Sequence, residues 1–172
     1  MVKLITTSKS LTNFCEEALV SPYITIDTEF LRERTYYAQL CLVQIAFVGD
    51  GENDAALIDV QAENIDLSPL LKLLLNKKIL KVFHAARQDL EIFLVNFGFI
   101  PKPFFDTQVA AMVCGFGDQV GYETLVRKLL MTRIDKSFRF TNWSQRPLSQ
   151  KQLDYAISDV THLRKVYEEL QK

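Results

Sequence analysis

Cysteine is scarce in this chain. Its three residues in 172, Cys15, Cys41 and Cys114, are odd in number, far apart and without C-x-x-C spacing. That argues against a disulfide framework and against a zinc site and favours a reducing compartment. Positive charge is not in excess either: 20 Lys and Arg meet 21 Asp and Glu, for a net charge of −1. Bulk electrostatics would not draw such a chain to nucleic acid, so any binding of that kind has to come from local patches or bound metal. No apolar run approaches the ~18 residues of a membrane span, and the N-terminus lacks a charged-then-apolar signal pattern. Internal repeats and low-complexity segments are missing as well. What is present is ordinary for a globular domain, 48% apolar and 24% charged residues, in a length that can bury a sizeable core. The expectation is a cytoplasmic single domain over 1–172 with no membrane partner.

The chain is organised around Tyr23 to Phe30, Tyr-Ile-Thr-Ile-Asp-Thr-Glu-Phe. Apolar alternation and β-branched residues make it a strand. Side chains at i and i+2 share a face, so Asp27 and Glu29 project together, opposite Ile24, Ile26 and Thr28. Two such carboxylates repel: either positive charge sits between them or one takes up a proton. A polar strand end wetted by water is the alternative, and further acids decide between the two.

Along the chain, Lys3–Thr6 reads as an edge strand, Leu11–Val20 as a helix stopped by Ser21-Pro22, and Leu40–Val48 and Ala56–Val60 as strands. With the organising strand these form an antiparallel meander. Ser68-Pro69 opens a helix to Leu75, Ile79–His84 is a strand, and Arg87–Phe97 is a helix ended by Gly98. Asp106 caps a helix through Val113, broken by Gly115 and Gly117. Tyr122–Leu130 is another helix, and Thr132–Leu148 is irregular. Ser149–Leu170 is the longest helix, with a capping box at Ser149 and Gln152. A meander followed by mixed strands and helices predicts an α/β sandwich with a mixed sheet.

Two more acids are placed to join the pair. Asp89 lies in a first helical turn just after a strand, where open α/β sheets bind ligands; its alternative is a carboxylate placed there by the helix dipole. On the last helix Leu153, Ala156, Val160, Leu163, Tyr167 and Leu170 form a core stripe, and Asp154, Ser158, Thr161, Lys165, Glu168 and Glu169 a solvent face. Tyr155 and Asp159, four apart and stacked, fall at the margin, where a site can be built or where the phenol simply bonds its helix neighbour. Asp27, Glu29, Asp89 and Asp159 sum to −4, which two divalent cations balance. Oxygen-only ligands suit magnesium or manganese, and two such ions are a known clamp for attack on a phosphodiester.

The motifs that carry a resemblance are Asp27-Thr28-Glu29-Phe30 running through Arg34-Thr35-Tyr36-Tyr37 to Gln44; Phe83-His84-Ala85 with Gln88-Asp89-Leu90-Glu91; Asp106-Thr107-Gln108; Lys136-Ser137 leading to Trp143 and Arg146-Pro147-Leu148; and Tyr155-Ala156 with Ser158-Asp159-Val160. In this order they resemble the DEDD superfamily of 3′→5′ exonucleases, in the tyrosine-containing branch and its ribonuclease D family. The resemblance covers essentially the whole chain. It implies a ribonuclease H-like mixed sheet flanked by helices. It also implies a two-metal (Mg2+ or Mn2+) exoribonuclease that releases nucleoside 5′-monophosphates from single-stranded RNA 3′ ends, in tRNA or stable-RNA processing or turnover. Asp27 would bridge both metals, Glu29 and Asp159 would complete the first site, Asp89 would hold the second, and Tyr155 would orient or deprotonate the attacking water.

Substrate contacts are expected from Thr28, Phe30, Leu31, His84 and Arg87. Phe30 could equally be core and His84 a buried supporting residue. Arg32, Arg34 and the Arg133/Lys136/Arg139 cluster are candidate phosphate contacts. Trp143 and Arg146 could stack on and grip RNA, but packing beneath the loop and pairing with an acid are the expected roles. Ribonuclease D-like proteins often carry helical accessory domains; none is expected in 1–172. Action on DNA ends or short oligonucleotides is the alternative activity, and a non-catalytic nucleic-acid-binding scaffold is the reading from another class.

Overall fold

The computed structural model describes residues 2–32, 35–49, 51, 53–135, 137–138 and 141–172. Six strands form one mixed sheet in the order β1-β4-β3-β2-β5-β6. They are β1 (Leu4–Ile5), β2 (Tyr23–Leu31), β3 (Gln39–Phe47), β4 (Ala55–Ile58), β5 (Leu80–Phe83) and β6 (Phe104–Asp106). The meander is as expected, β2-β3-β4 antiparallel. Strands β1, β5 and β6 join it in parallel. The sequence reading contained no β6: three residues are too short for an alternation to register.

Alternation in the strands sorts the two faces. Ile24, Ile26, Ile45, Ile58 and Phe83 point into the main core, beneath α1 (Ser8–Ala18), α2 (Ser68–Leu75) and α3 (Arg87–Phe97). The opposite face, with Leu42, Leu57, Ala46 and Val82, is covered by α6 (Gln150–Leu170). Helix α1 starts three residues earlier than its apolar pattern, because Thr7 caps it: Thr7 Oγ1 accepts from Ser10 N at 3.3 Å. Helix α6 begins as predicted, with both bonds of the Ser149–Gln152 capping box made.

Its burial is wider than the predicted stripe, because α4 (Thr107–Val113) and α5 (Tyr122–Leu130) pack on its far side. Val166 joins Ala111, Leu125 and Val126 there. Arg164, 4% exposed, donates to Phe47 O at 2.7 Å, and Glu168, assigned to the solvent face, accepts from Tyr23 Oη at 2.6 Å. Among the described residues no helix is long and apolar enough to cross a membrane.

Two irregularities open the site. Strand β5 pairs with β2 only over Tyr23–Thr25, so β2 from Ile26 onward runs past it. A bulge follows at Glu29/Phe30, where Cys41 is the extra residue on β3; bulges bend a strand and re-aim its side chains.

Candidate active site

The free stretch of β2 floors a cleft of about 680 Å³. Asp27 and Glu29 point to the α6 side, and α6 lays Asp159 over them. One carboxylate oxygen from each of Asp27, Glu29 and Asp159 lies within 4.8 Å of the others. Asp89 comes from the first turn of α3, on the other side of the sheet. It reaches the cleft where β5 has ended, and Thr28 Oγ1 donates to its Oδ1 at 2.6 Å. All four acids line the cleft, as does Tyr155.

The electrostatics follow from crowding. Burial pushes the Asp27 carboxyl well above the usual carboxylate range, and the charges of Asp89, Asp159 and Glu29 push it further; a backbone hydrogen bond at Thr28 works against them. Burial also raises Asp89, to about 6, with the Thr28 hydroxyl holding it down. Carboxylates in this state hold protons or gather cations. With oxygen donors alone within 4.8 Å, the donor set fits a hard divalent ion such as Mg2+ or Mn2+ rather than zinc.

Tyr155 is raised above the ordinary phenol range, first by burial and then by Asp159, to which its hydroxyl is bonded. The helix neighbour that the phenol bonds is itself a member of the acid cluster. Its ring packs on Trp143, centroids 6.1 Å apart and 34° between planes.

The remaining expected residues divide. Thr28 faces the cleft, but its hydroxyl is engaged by Asp89. Phe30 and Leu31 line the cleft while packing against the cores on either side of the sheet. His84 also lines it; its Nδ1 lies 3.0 Å from Thr107 Oγ1, and burial lowers its pKa. Arg87 is exposed and outside the cleft lining. Arg32 is at the rim, 3.3 Å from Glu91. Arg133 is exposed; Arg34, Lys136 and Arg139 lie outside the described residues. Trp143 is 2% exposed and packs beneath the loop before α6. Arg146 is bound to Asp59 through Nε and Nη2, both at 2.7 Å. These last two take the packing and pairing roles.

Three contributors were given no role at the site by the sequence reading. Tyr122, read only as the first residue of a helix, donates its hydroxyl to the backbone carbonyl of Asp159 and so pins α6 at the site. Asp106, read as a helix cap and as part of a family motif without a role of its own, also bonds the β5–α3 turn. Gln44, 0% exposed, faces Asp27 across the β2–β3 pair with neither amide atom bonded. The partners of Tyr122 and Asp106 are 20 or more residues distant, beyond the reach of any local pattern.

Comparison with known proteins shows the family of the chain and supports its fold. Ribonuclease D of Jannaschia sp. is 61% identical over 99% of the chain, which spans 44% of that protein. Among solved structures, Escherichia coli RNase D, an exoribonuclease involved in structured RNA processing, superposes with a TM-score of 0.88 at 40% identity, over 99% of this chain and 45% of that one. Brucella melitensis NrnC with bound Mg2+ gives 0.78 at 30% identity, over 98% of this chain and 77% of that one. The chain thus spans less than half the length of these two ribonucleases D. The 3′-5′ exonuclease family model matches residues 2–172, which are nearly all of the chain and hold every acid of the cleft, and the chain belongs to that family.

Proposed function

We propose that this chain is the catalytic part of a ribonuclease D-type 3′→5′ exoribonuclease. It would use two divalent cations, Mg2+ or Mn2+, to release nucleoside 5′-monophosphates from single-stranded RNA. The observation that carries the reading is the convergence of Asp27, Glu29 and Asp159 within 4.8 Å, with Asp89 entering the same cleft from the other side of the sheet. Asp27, between the two groups, would serve both cations, Glu29 and Asp159 one of them, and Asp89 the other. When bound, these ions would supply the positive charge that lowers the pKa of the attacking water and stabilises the leaving oxygen.

The protein's own groups do the rest. Phe30 and Leu31, at the bulge, would wedge against the terminal nucleotide. Tyr155 would orient the attacking water: a phenol held above its ordinary range by burial and Asp159 is a poor base but a good hydrogen-bond donor and acceptor. Water adds to the terminal phosphorus as the bond to the preceding 3′ oxygen breaks. The products are a nucleoside 5′-monophosphate and a chain one residue shorter ending in a 3′ hydroxyl. Processing of tRNA or another stable RNA is the proposed setting.

The test is one gel. A 5′-labelled single-stranded RNA and its DNA counterpart are incubated with the protein in Mn2+, in Mg2+ and in EDTA. A metal-dependent ladder shortening from the 3′ end, stronger on RNA, is expected. Equal or faster attack on DNA would overturn the ribonuclease assignment, since RNA preference requires a contact to the 2′-OH. No ladder in either metal would overturn the catalytic reading.

A further inference from the structure

Of the four acids, Asp89 stands apart. The other three converge without it, while Asp89 is delivered by α3, which packs into the core on the opposite face of the sheet. A helix that delivers a carboxylate needs its first turn held, and α3 does not hold its own. Its N-cap is Ala86, with no side-chain capping bond, and alanine is among the poorest residues there. The residue before, Ala85, has φ 54°, a left-handed conformation unfavourable to a residue with a Cβ. Strain of this kind persists only where surrounding structure enforces it.

Asp106 is what enforces it. It ends β6, in register with Phe83 at the end of β5. Its Oδ1 accepts from Ala85 N and its Oδ2 from Ala86 N, both at 2.9 Å. Its Oδ1 also accepts from Gln108 N at 2.8 Å, the capping bond of its own helix α4. One carboxylate thus caps two helices. Thr107 ties the same turn, donating to Phe83 O and meeting His84 Nδ1, each at 3.0 Å. Both Asp106 oxygens are engaged, and the residue is not part of the cleft lining, so it is not a fifth cation ligand.

We infer that Asp106 is a positioning residue: by capping α3 from the neighbouring strand, it sets where Asp89 presents its carboxylate to a cation. This rests on the metal-dependent reading above and adds to it a residue that touches neither substrate nor ion. Asp106→Ser separates the two caps. A serine hydroxyl can still cap α4 but is too short to span to Ala85 and Ala86. The readouts are calorimetric Mn2+ binding and metal-free amide exchange at Ala86.

The expected result is Mn2+ affinity lowered about tenfold, at the low end of what supporting partners of metal ligands contribute, with faster exchange at Ala86. Asp106→Asn, which sets an amide N–H against one of the backbone donors, should fall between it and the parent; it carries the comparison alone if the serine variant does not fold. Unchanged Mn2+ affinity despite faster exchange would overturn the inference and leave Asp106 a purely structural cap. A parent protein that binds no Mn2+ would instead overturn the metal-dependent reading, a distinct result read in the same titration.

Discussion

Two acids on this sheet, separated by strand β3, have opposite surroundings. Asp59, just past β4 and 4% exposed, is matched in full. Arg146 clamps both its oxygens at 2.7 Å, and Gln61 N donates to it at 3.0 Å. The same guanidinium bonds Trp143 O and Cys41 O, so the pair anchors the loop before α6. Asp27 instead meets the negative charges of Asp89, Asp159 and Glu29, and its proton affinity rises, from burial first and then from those charges. Where the chain uses an acid to hold structure, it supplies a bidentate cation. Where it gathers acids against their own repulsion, it presents a set of oxygen donors suited to a hard divalent cation. The Asp59 region serves the site only by holding Trp143, and through it Tyr155, in place.

The comparison can be broken at either end. The largest effect is expected from Asp27→Asn. Cleavage should fall by about 10²- to 10³-fold, the scale of losing a central electrostatic contact at a reacting centre. Metal-free melting temperature should hold or rise, because a repulsive charge is gone. At a hundred times its dissociation constant, Mn2+ should stabilise the parent by about 2.7 kcal/mol and the variant by much less. Robust cleavage by the variant, or an equal metal-induced shift, would remove Asp27 from the centre of the site.

The next effect is on stability. Arg146→Ala leaves Asp59 buried without its partner. A loss of about 2–3 kcal/mol in urea denaturation is expected, below the 3–5 of a fully buried pair because the Arg146 side chain is 27% exposed. Removing both charges, as Asp59→Leu with Arg146→Met, should recover most of that loss. A double variant as unstable as the single would show that the pair's worth lies in the Trp143 and Cys41 carbonyl bonds instead.

The smallest effect is a pH dependence of the metal-free protein. Asp27 and Asp89 are both raised on folding, Asp89 to about 6 from 3.8, so the folded state binds these protons more tightly than the unfolded one. The Asp89 contribution to stability is fully present below the unfolded value and is lost as pH rises through about 4 to 6, and that of Asp27 is lost as pH rises above the ordinary carboxylate range. Urea midpoints across that window should show the loss in the parent and less of it in Asp27→Asn, with saturating Mg2+ flattening the parent's curve. Identical profiles for parent and variant would mean that the acids are not coupled in the folded protein.

Much of this site was legible locally. That Asp27 shares a side with Glu29 follows from the two-residue repeat of a strand, and that Tyr155 stacks with Asp159 from the helical turn. The Ser149–Gln152 box and the Gly98 terminus were likewise read from neighbouring residues and are present. Strand β6 was not, since three residues carry no period. Thr28, read as a contact to substrate, is bonded to an acid 61 residues away, and no pattern around Thr28 could name that partner.

By itself, then, the sequence determined which side chains share a face, because that depends only on the repeat of the local backbone. It also placed Asp89 in a first helical turn, and Tyr155 and Asp159 at the margin of the apolar stripe of the last helix. Only the tertiary structure decided how they meet. The early end of β5 lets α3 bring Asp89 around the sheet, α4 and α5 press α6 down so that Tyr122 pins Asp159, and Asp106 caps a helix it does not belong to. These are packing outcomes, fixed by burying two faces of one sheet at once, and they join residues between 20 and 61 positions apart.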